Sequence, residues 1–199
     1  MHPEHNNMTQ ELKFYGPYTI CSEENDVLHD CPYASDEGIY LWAVRMNSGS
    51  YRILYIGETS TSFYKRTKDH LIQTLGGNYL ICDPEAMVFG RSEILWKGLW
   101  RKGTRNKLPE FLSRYESLAP KIKKFIFIQK LFVASIKIDR RLRKRIEGAL
   151  AFAIREDAEA SSLLPNDIRY IRRRDDEDPV LVSISAERKI EGLPERVYA

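Results

Sequence analysis

Residues 38–57 read GIYLWAVRMNSGSYRILYIG, and their reading decides the fold. Runs 38–46 and 51–57 are both rich in β-branched and aromatic residues, whereas Asn47-Ser48-Gly49-Ser50 between them is turn chemistry. The stretch therefore predicts a β-hairpin. Immediately after it, Thr59, Ser60 and Thr61 offer helix N-caps, and Phe63, Thr67, Leu71 and Thr74 recur about once per helical turn until Gly76-Gly77 ends the pattern. A helix of about three to four turns follows the hairpin.

Outward from this unit the signals thin. Upstream, residues 12–20 read as one strand, interrupted by Gly16 and Pro17, and an acidic loop-like stretch follows. Downstream, 79–108 offers a short strand at 79–82, an apolar segment at 96–100 and a basic loop containing Arg101, Lys102, Arg105 and Lys107. A second helix follows Pro109. The run LFVASIKI at 131–138 reads as a buried third strand, after which Asp139 caps a helix with an apolar stripe of Leu142, Ile146, Ala149, Leu150 and Ala153. Beyond residue 166 come Arg172-Arg173-Arg174, an acidic run and a strand at 180–184. This order predicts an α+β fold with a small, mostly antiparallel sheet, the β-hairpin plus a third strand, flanked by helices. The organisation expected is an N-terminal extension at 1–35, a central domain at 36–170 with a basic insertion at 91–130, and a C-terminal tail at 171–199 packing on that domain.

A chain of 199 residues can bury roughly 70% of its unfolded surface, enough for a core without staples. With 43% hydrophobic and 30% charged residues, the composition excludes disordered and collagen-like classes. No apolar run is long enough to span a bilayer, and residues 1–7 lack the build of a signal peptide, so a cytoplasmic location is expected. Cys21, Cys31 and Cys82 contain no CxxC pair and read as packing residues. The net charge of +3 conceals a segregation: 17 Lys and Arg stand against 4 Asp and Glu between residues 91 and 145, with acidic segments on either side. Such a segment suits a polyanion, because each phosphate neutralised releases condensed counterions.

Two tripeptides frame the hairpin, Gly38-Ile39-Tyr40 at its start and Tyr55-Ile56-Gly57 at its end. A given tripeptide arises by chance in about one chain in forty of this length, so the ordered pair in a hairpin context is far more specific than either alone. On these residues the chain resembles the GIY-YIG nuclease family, as a restriction-endonuclease-like member. That family carries an arginine ten or eleven positions beyond the second tyrosine, frequently followed one turn later by a histidine; Arg66 and His70 stand at those places. Its metal-binding glutamate and a later ordering asparagine correspond to Glu147 and Asn166. The resemblance covers about residues 38–166, and it departs from the family at Glu58, where small or basic residues are common.

The resemblance implies a metal-dependent endonuclease that hydrolyses phosphodiester bonds in DNA with Mg²⁺, Mn²⁺ standing in for it. Its site would comprise Tyr40, Tyr55, Arg66, His70, Glu147 and Asn166, with Glu147 as the metal ligand. The chemistry suits the residue types. One carboxylate suits Mg²⁺, which keeps several waters, and arginine offers a planar fork of donors to a phosphate. By resemblance Tyr40 would orient or deprotonate the attacking water, with His70 or Tyr55 drawing the proton away. Since a free tyrosine has a pKa near 10, this requires nearby cations to lower it. Arg101, Lys102, Arg105, Lys107, Arg140, Arg141 and Lys144 are the expected backbone contacts. The alternatives are a GIY-YIG-fold protein that binds nucleic acid without cleaving it, and a repair or recombination nuclease recognising branched DNA. A homodimer is compatible with either role.

Overall fold

The computed structural model describes residues 9–20, 26–99, 107–165, 168 and 170–199. Eight strands and four helices follow in the order β1 (Thr9–Tyr18), β2 (Gly38–Arg45), β3 (Tyr51–Thr59), α1 (Phe63–Leu75), β4 (Ile81–Cys82), α2 (Pro84–Met87), β5 (Ile94–Trp96), α3 (Leu108–Ile128), β6 (Gln129–Ser135), α4 (Arg140–Arg155), β7 (Leu181–Ala186) and β8 (Arg196–Tyr198).

The hairpin forms as its residues predict. β2 pairs antiparallel with β3, Tyr40 standing opposite Gly57 and Trp42 opposite Tyr55. β2 is central, paired on its other side with β6, and seven of its eight residues are buried. That is why GIYLWAV is a continuous apolar run rather than an alternating one: a strand covered on both faces gains hydrophobic free energy from every side chain.

The small, mostly antiparallel sheet is not what forms. The main sheet has six strands in the order β3-β2-β6-β1-β7-β8, is mixed, and curls into a half-barrel. β1 lies antiparallel to β6 and parallel to β7, with Thr9 opposite Leu181 and Phe14 opposite Ala186. The physical reason is that β6 has two hydrogen-bonding edges and β2 satisfies only one. β1 and β7 occupy what would otherwise be open edge. A two-stranded sheet of β4 and β5 stands apart.

Each face of the main sheet has its own core. On one, α4 inserts Leu142, Ile146, Leu150 and Ile154 against Leu12, Phe14, Ile39, Leu41, Ile53, Ile56 and Phe132. On the other, Tyr40, Trp42, Val44, Leu131 and Val133 pack against Phe63 of α1 and Phe111, Leu118, Ile122 and Phe125 of α3. The α1 cap is Ser62, whose hydroxyl accepts from the Lys65 amide at 3.1 Å, rather than residues 59–61, because β3 continues through Thr59. Asp139 caps α4 as expected, accepting from the Leu142 amide at 2.9 Å. Cys31 and Cys82 are buried free thiols, and Cys21 lies outside the described residues. No described helix is long and apolar enough to cross a membrane.

Candidate active site

Antiparallel register places Tyr40, Trp42, Tyr55 and Gly57 on one face of the hairpin. Tyr40 is 3% exposed, and its ring lies across the backbone of Gly57. A Cβ on Gly57 would collide with the Tyr40 phenol and stand 2.7 Å from Tyr55 Cε1, so only glycine admits this packing. Gly38 answers a similar demand, because a Cβ there would collide with the Ala134 carbonyl oxygen and stand 3.0 Å from Phe63 Cζ. The glycines of both tripeptides thus hold backbone close to neighbours, while the tyrosines project into the site.

α1 packs over this face and delivers Arg66, whose Nε donates to the Tyr40 hydroxyl at 2.7 Å. The Tyr40 and Tyr55 ring centroids are 6.1 Å apart. Burial, with the neighbouring Tyr55, raises the Tyr40 pKa well above the ordinary tyrosine range despite the opposing pull of the Arg66 charge and hydrogen bond. Tyr55 is raised for the same leading reason, burial. Both phenols are therefore protonated at neutral pH unless further positive charge arrives.

Glu147 reaches the site from the opposite layer. α4 crosses the far face of the sheet, but Glu147 stands by β3 at the sheet edge, where it shares the electrostatic field of Tyr40, Tyr55 and Arg66. Burial and the adjacent Glu58 carboxylate push its pKa up to about 7, while Lys144 and the Glu58 backbone amide pull it down. Glu58, the departure from the family pattern, borders the site, since its carboxylate acts on Glu147. It is clamped by Arg143 at 3.2 Å and Arg140 at 3.7 Å. Arg143, only 2% exposed, also pairs with Glu37 at 2.9 Å, so its charge goes to Glu37 and Glu58 rather than to Glu147 one turn along. Among the described residues no group of three His, Cys, Asp or Glu side chains gathers. The donor set is thus a single hard oxygen ligand beside a cationic arginine, and its raised pKa marks a carboxylate that a bound cation would stabilise in its charged form. That set fits a divalent ion of the Mg²⁺ type, which takes its remaining ligands from water and phosphate.

The raised Glu147 pKa has a cost that stability measurements can read. The folded chain holds the proton more tightly than the unfolded chain, whose value is near 4.5, so stability falls as pH rises from about 4.5 to about 7. Glu147→Gln removes this loss. Its thermal midpoint in metal-free buffer is expected to exceed the parent's at pH 8 and to converge with it below pH 4.5; a parent equally stable at pH 8 would contradict the assignment.

The remaining expected residues divide. His70 is one turn from Arg66 but turns away from Tyr40: its ring stacks on Trp42 at 4.7 Å and meets Tyr79 at 5.3 Å. Burial and the Arg66 charge lower its pKa to about 4, so it is neutral at working pH. Asn166, Arg101, Lys102 and Arg105 lie outside the described residues. Lys107 sits over the Trp96 ring at 5.6 Å. Arg140 is largely exposed and, among the described residues, is held by the long Glu58 contact. Arg141 is engaged by Glu177 at 2.7 Å and by the Arg172 carbonyl at 2.9 Å, leaving little of its fork for a phosphate. Lys144 acts on Glu147 through its charge.

Tyr170 was not anticipated. Its hydroxyl donates to the Ile56 carbonyl at 3.4 Å, and it feels the charges of Tyr55 and Glu147. No local pattern in 168–174 would have placed it there. Comparison of the chain with family models, characterised proteins and solved structures finds no match.

Proposed function

We propose that the chain is a metal-dependent endonuclease acting on DNA phosphodiester bonds. The observation that carries this reading is the convergence of Tyr40, Tyr55, Arg66 and Glu147, from two strands and two helices on opposite layers, at one end of the hairpin, with the Tyr40 oxygen fixed by Arg66 at 2.7 Å. Structural packing alone has no use for a half-buried carboxylate with a raised pKa beside a half-buried arginine. Arg66 offers its remaining N–H groups to the non-bridging oxygens of the scissile phosphate. Tyr40, its oxygen held by Arg66, orients the attacking water, and Tyr55 supports the position of its ring. Glu147 would hold a divalent cation, which would supply Lewis acidity and positive charge beside the Tyr40 phenol. Exposed Arg140, beside Glu58, steers the DNA backbone towards the site.

The two tyrosines separate experimentally. Tyr40→Phe keeps the ring over Gly57 and loses only the hydroxyl, so single-turnover cleavage from pH 6 to 9 is expected to fall about a hundredfold with unfolding nearly unchanged. Tyr55→Phe should cost less. If Tyr55→Phe is the more damaging, or both variants cut at the parental rate, Tyr40 does not have this role.

A further inference from the structure

α3 turns Phe111, Leu118, Ile122 and Phe125 onto the sheet, yet a second set of apolar side chains on the same helix faces outward. Leu112 is 61% exposed and Phe127 44%, and Leu108 and Tyr115 are exposed beside them. Leu112, Glu116, Ala119, Lys123 and Phe127 follow one another at intervals of four, three, four and four residues, so they share one stripe about 24 Å long on the helix surface. All of them are exposed except Ala119, which is half-buried. Ile72 and Leu75 of α1, the helix that packs on α3, are exposed as well. Large apolar side chains gathered on one outer face mark a surface that another molecule covers.

The charges on α3 argue against nucleic acid as that molecule. Arg114 is held by Glu110 at 3.4 Å, Lys121 by Asp83 at 3.3 Å and Lys124 by Glu85 at 3.2 Å. Among the described residues Lys123 has no carboxylate partner and lies over the Phe127 ring at 5.7 Å, while Glu116 has no cation partner. The stripe thus carries one unpaired charge of each sign, which does not suit a polyanion.

Their order suits a second copy of the same helix. Leu112 and Phe127 stand equally far on either side of the Ala119–Pro120 bond, and so do Glu116 and Lys123. A two-fold axis at that bond, with the helices antiparallel, sets Leu112 of each copy against Phe127 of the other and Glu116 of each against Lys123 of the other. The small side chain of Ala119 at the axis lets the two helices approach closely.

We propose that the outer stripe of α3 is the interface of a two-fold homodimer, closed by these reciprocal apolar and charged pairs. On the nuclease reading two copies present two sites to one duplex, as breaking both strands requires, but neither the interface nor its test depends on cleavage.

Sedimentation of the parental protein without DNA, over about a hundredfold range of concentration, is expected to show a monomer–dimer equilibrium. Leu112→Arg puts a charge into the apolar contact of both copies and should weaken the dimer at least about a hundredfold, with the thermal midpoint of the dilute monomer unchanged because the side chain is exposed. Glu116→Lys and Lys123→Glu each create two like-charge contacts per dimer, and each should weaken association about tenfold. The double variant Glu116→Lys/Lys123→Glu rebuilds both pairs with their signs exchanged and should return association to within about threefold of the parent. Two residues seven positions apart do not meet within one helix, so this restoration reports on a second copy. A parent that stays monomeric leaves the stripe to a different partner and overturns the proposal. A dimer that survives Leu112→Arg, single reversals without effect, or a double variant as weak as the singles also overturns it. Loss of DNA affinity in Lys123→Glu with self-association unchanged would assign the face to DNA instead. The expected pattern in a protein that does not nick plasmid contradicts the nuclease reading and leaves the interface standing.

Discussion

Arg66→Ala is expected to slow single-turnover DNA cleavage by at least about a hundredfold, because preorganised positive charge on a developing oxyanion is the largest contribution a side chain makes to such a reaction. The guanidinium has two duties here. It faces the space where a phosphate would lie, and its Nε fixes the Tyr40 hydroxyl at 2.7 Å. Removing it therefore withdraws transition-state charge and leaves a buried phenol without its donor, in a setting where burial already raises the phenol pKa. Arg66→Lys restores charge but not the fork, and recovery of no more than about tenfold is expected. A loss in Arg66→Ala no larger than that of an exposed arginine such as Arg188 would remove Arg66 from the site.

Glu147→Ala is expected to abolish metal-dependent cleavage while leaving DNA affinity within about tenfold, since the cation acts on the transition state and basic side chains supply most ground-state attraction. The parental protein should carry a further signature of this residue. With a pKa near 7, each pH unit below that value cuts the ionised fraction about tenfold. The Mg²⁺ concentration for half-maximal rate should accordingly rise about tenfold from pH 6 to 5 and stay nearly level above pH 8. Equal cleavage in Glu147→Ala and parent, or a half-saturation that ignores pH, would exclude Glu147 as the metal ligand.

The parts of this arrangement that were legible in the sequence are those fixed by local chemistry. The hairpin was legible because two apolar runs flank Asn47-Ser48-Gly49-Ser50, and α4 because Asp139 precedes a stripe at helical spacing. Tyr40, Tyr55 and Arg66 were named by the resemblance that the two tripeptides carry, and the fold brings them together. The wider sheet was not legible. β1 and β7 were each visible as strands, but their parallel pairing joins Thr9 to Leu181, and no local signal encodes a partner so distant. The place of Arg143 was not legible either: it stands at i, i+4 spacing from Glu147, yet the fold buries it between Glu37 and Glu58, whose closeness depends on β3 and the start of β2 meeting α4.

The most direct test of the central claim is the conversion of supercoiled plasmid to nicked or linear DNA by parental protein in Mg²⁺, in EDTA, and by Glu147→Ala in Mg²⁺, each checked for DNA binding. Conversion by the parent in Mg²⁺ alone, with all three samples retaining DNA, is the result expected of a hydrolytic site built from Tyr40, Arg66 and Glu147. Intact plasmid in every sample despite binding, or cleavage that persists in Glu147→Ala, would contradict it.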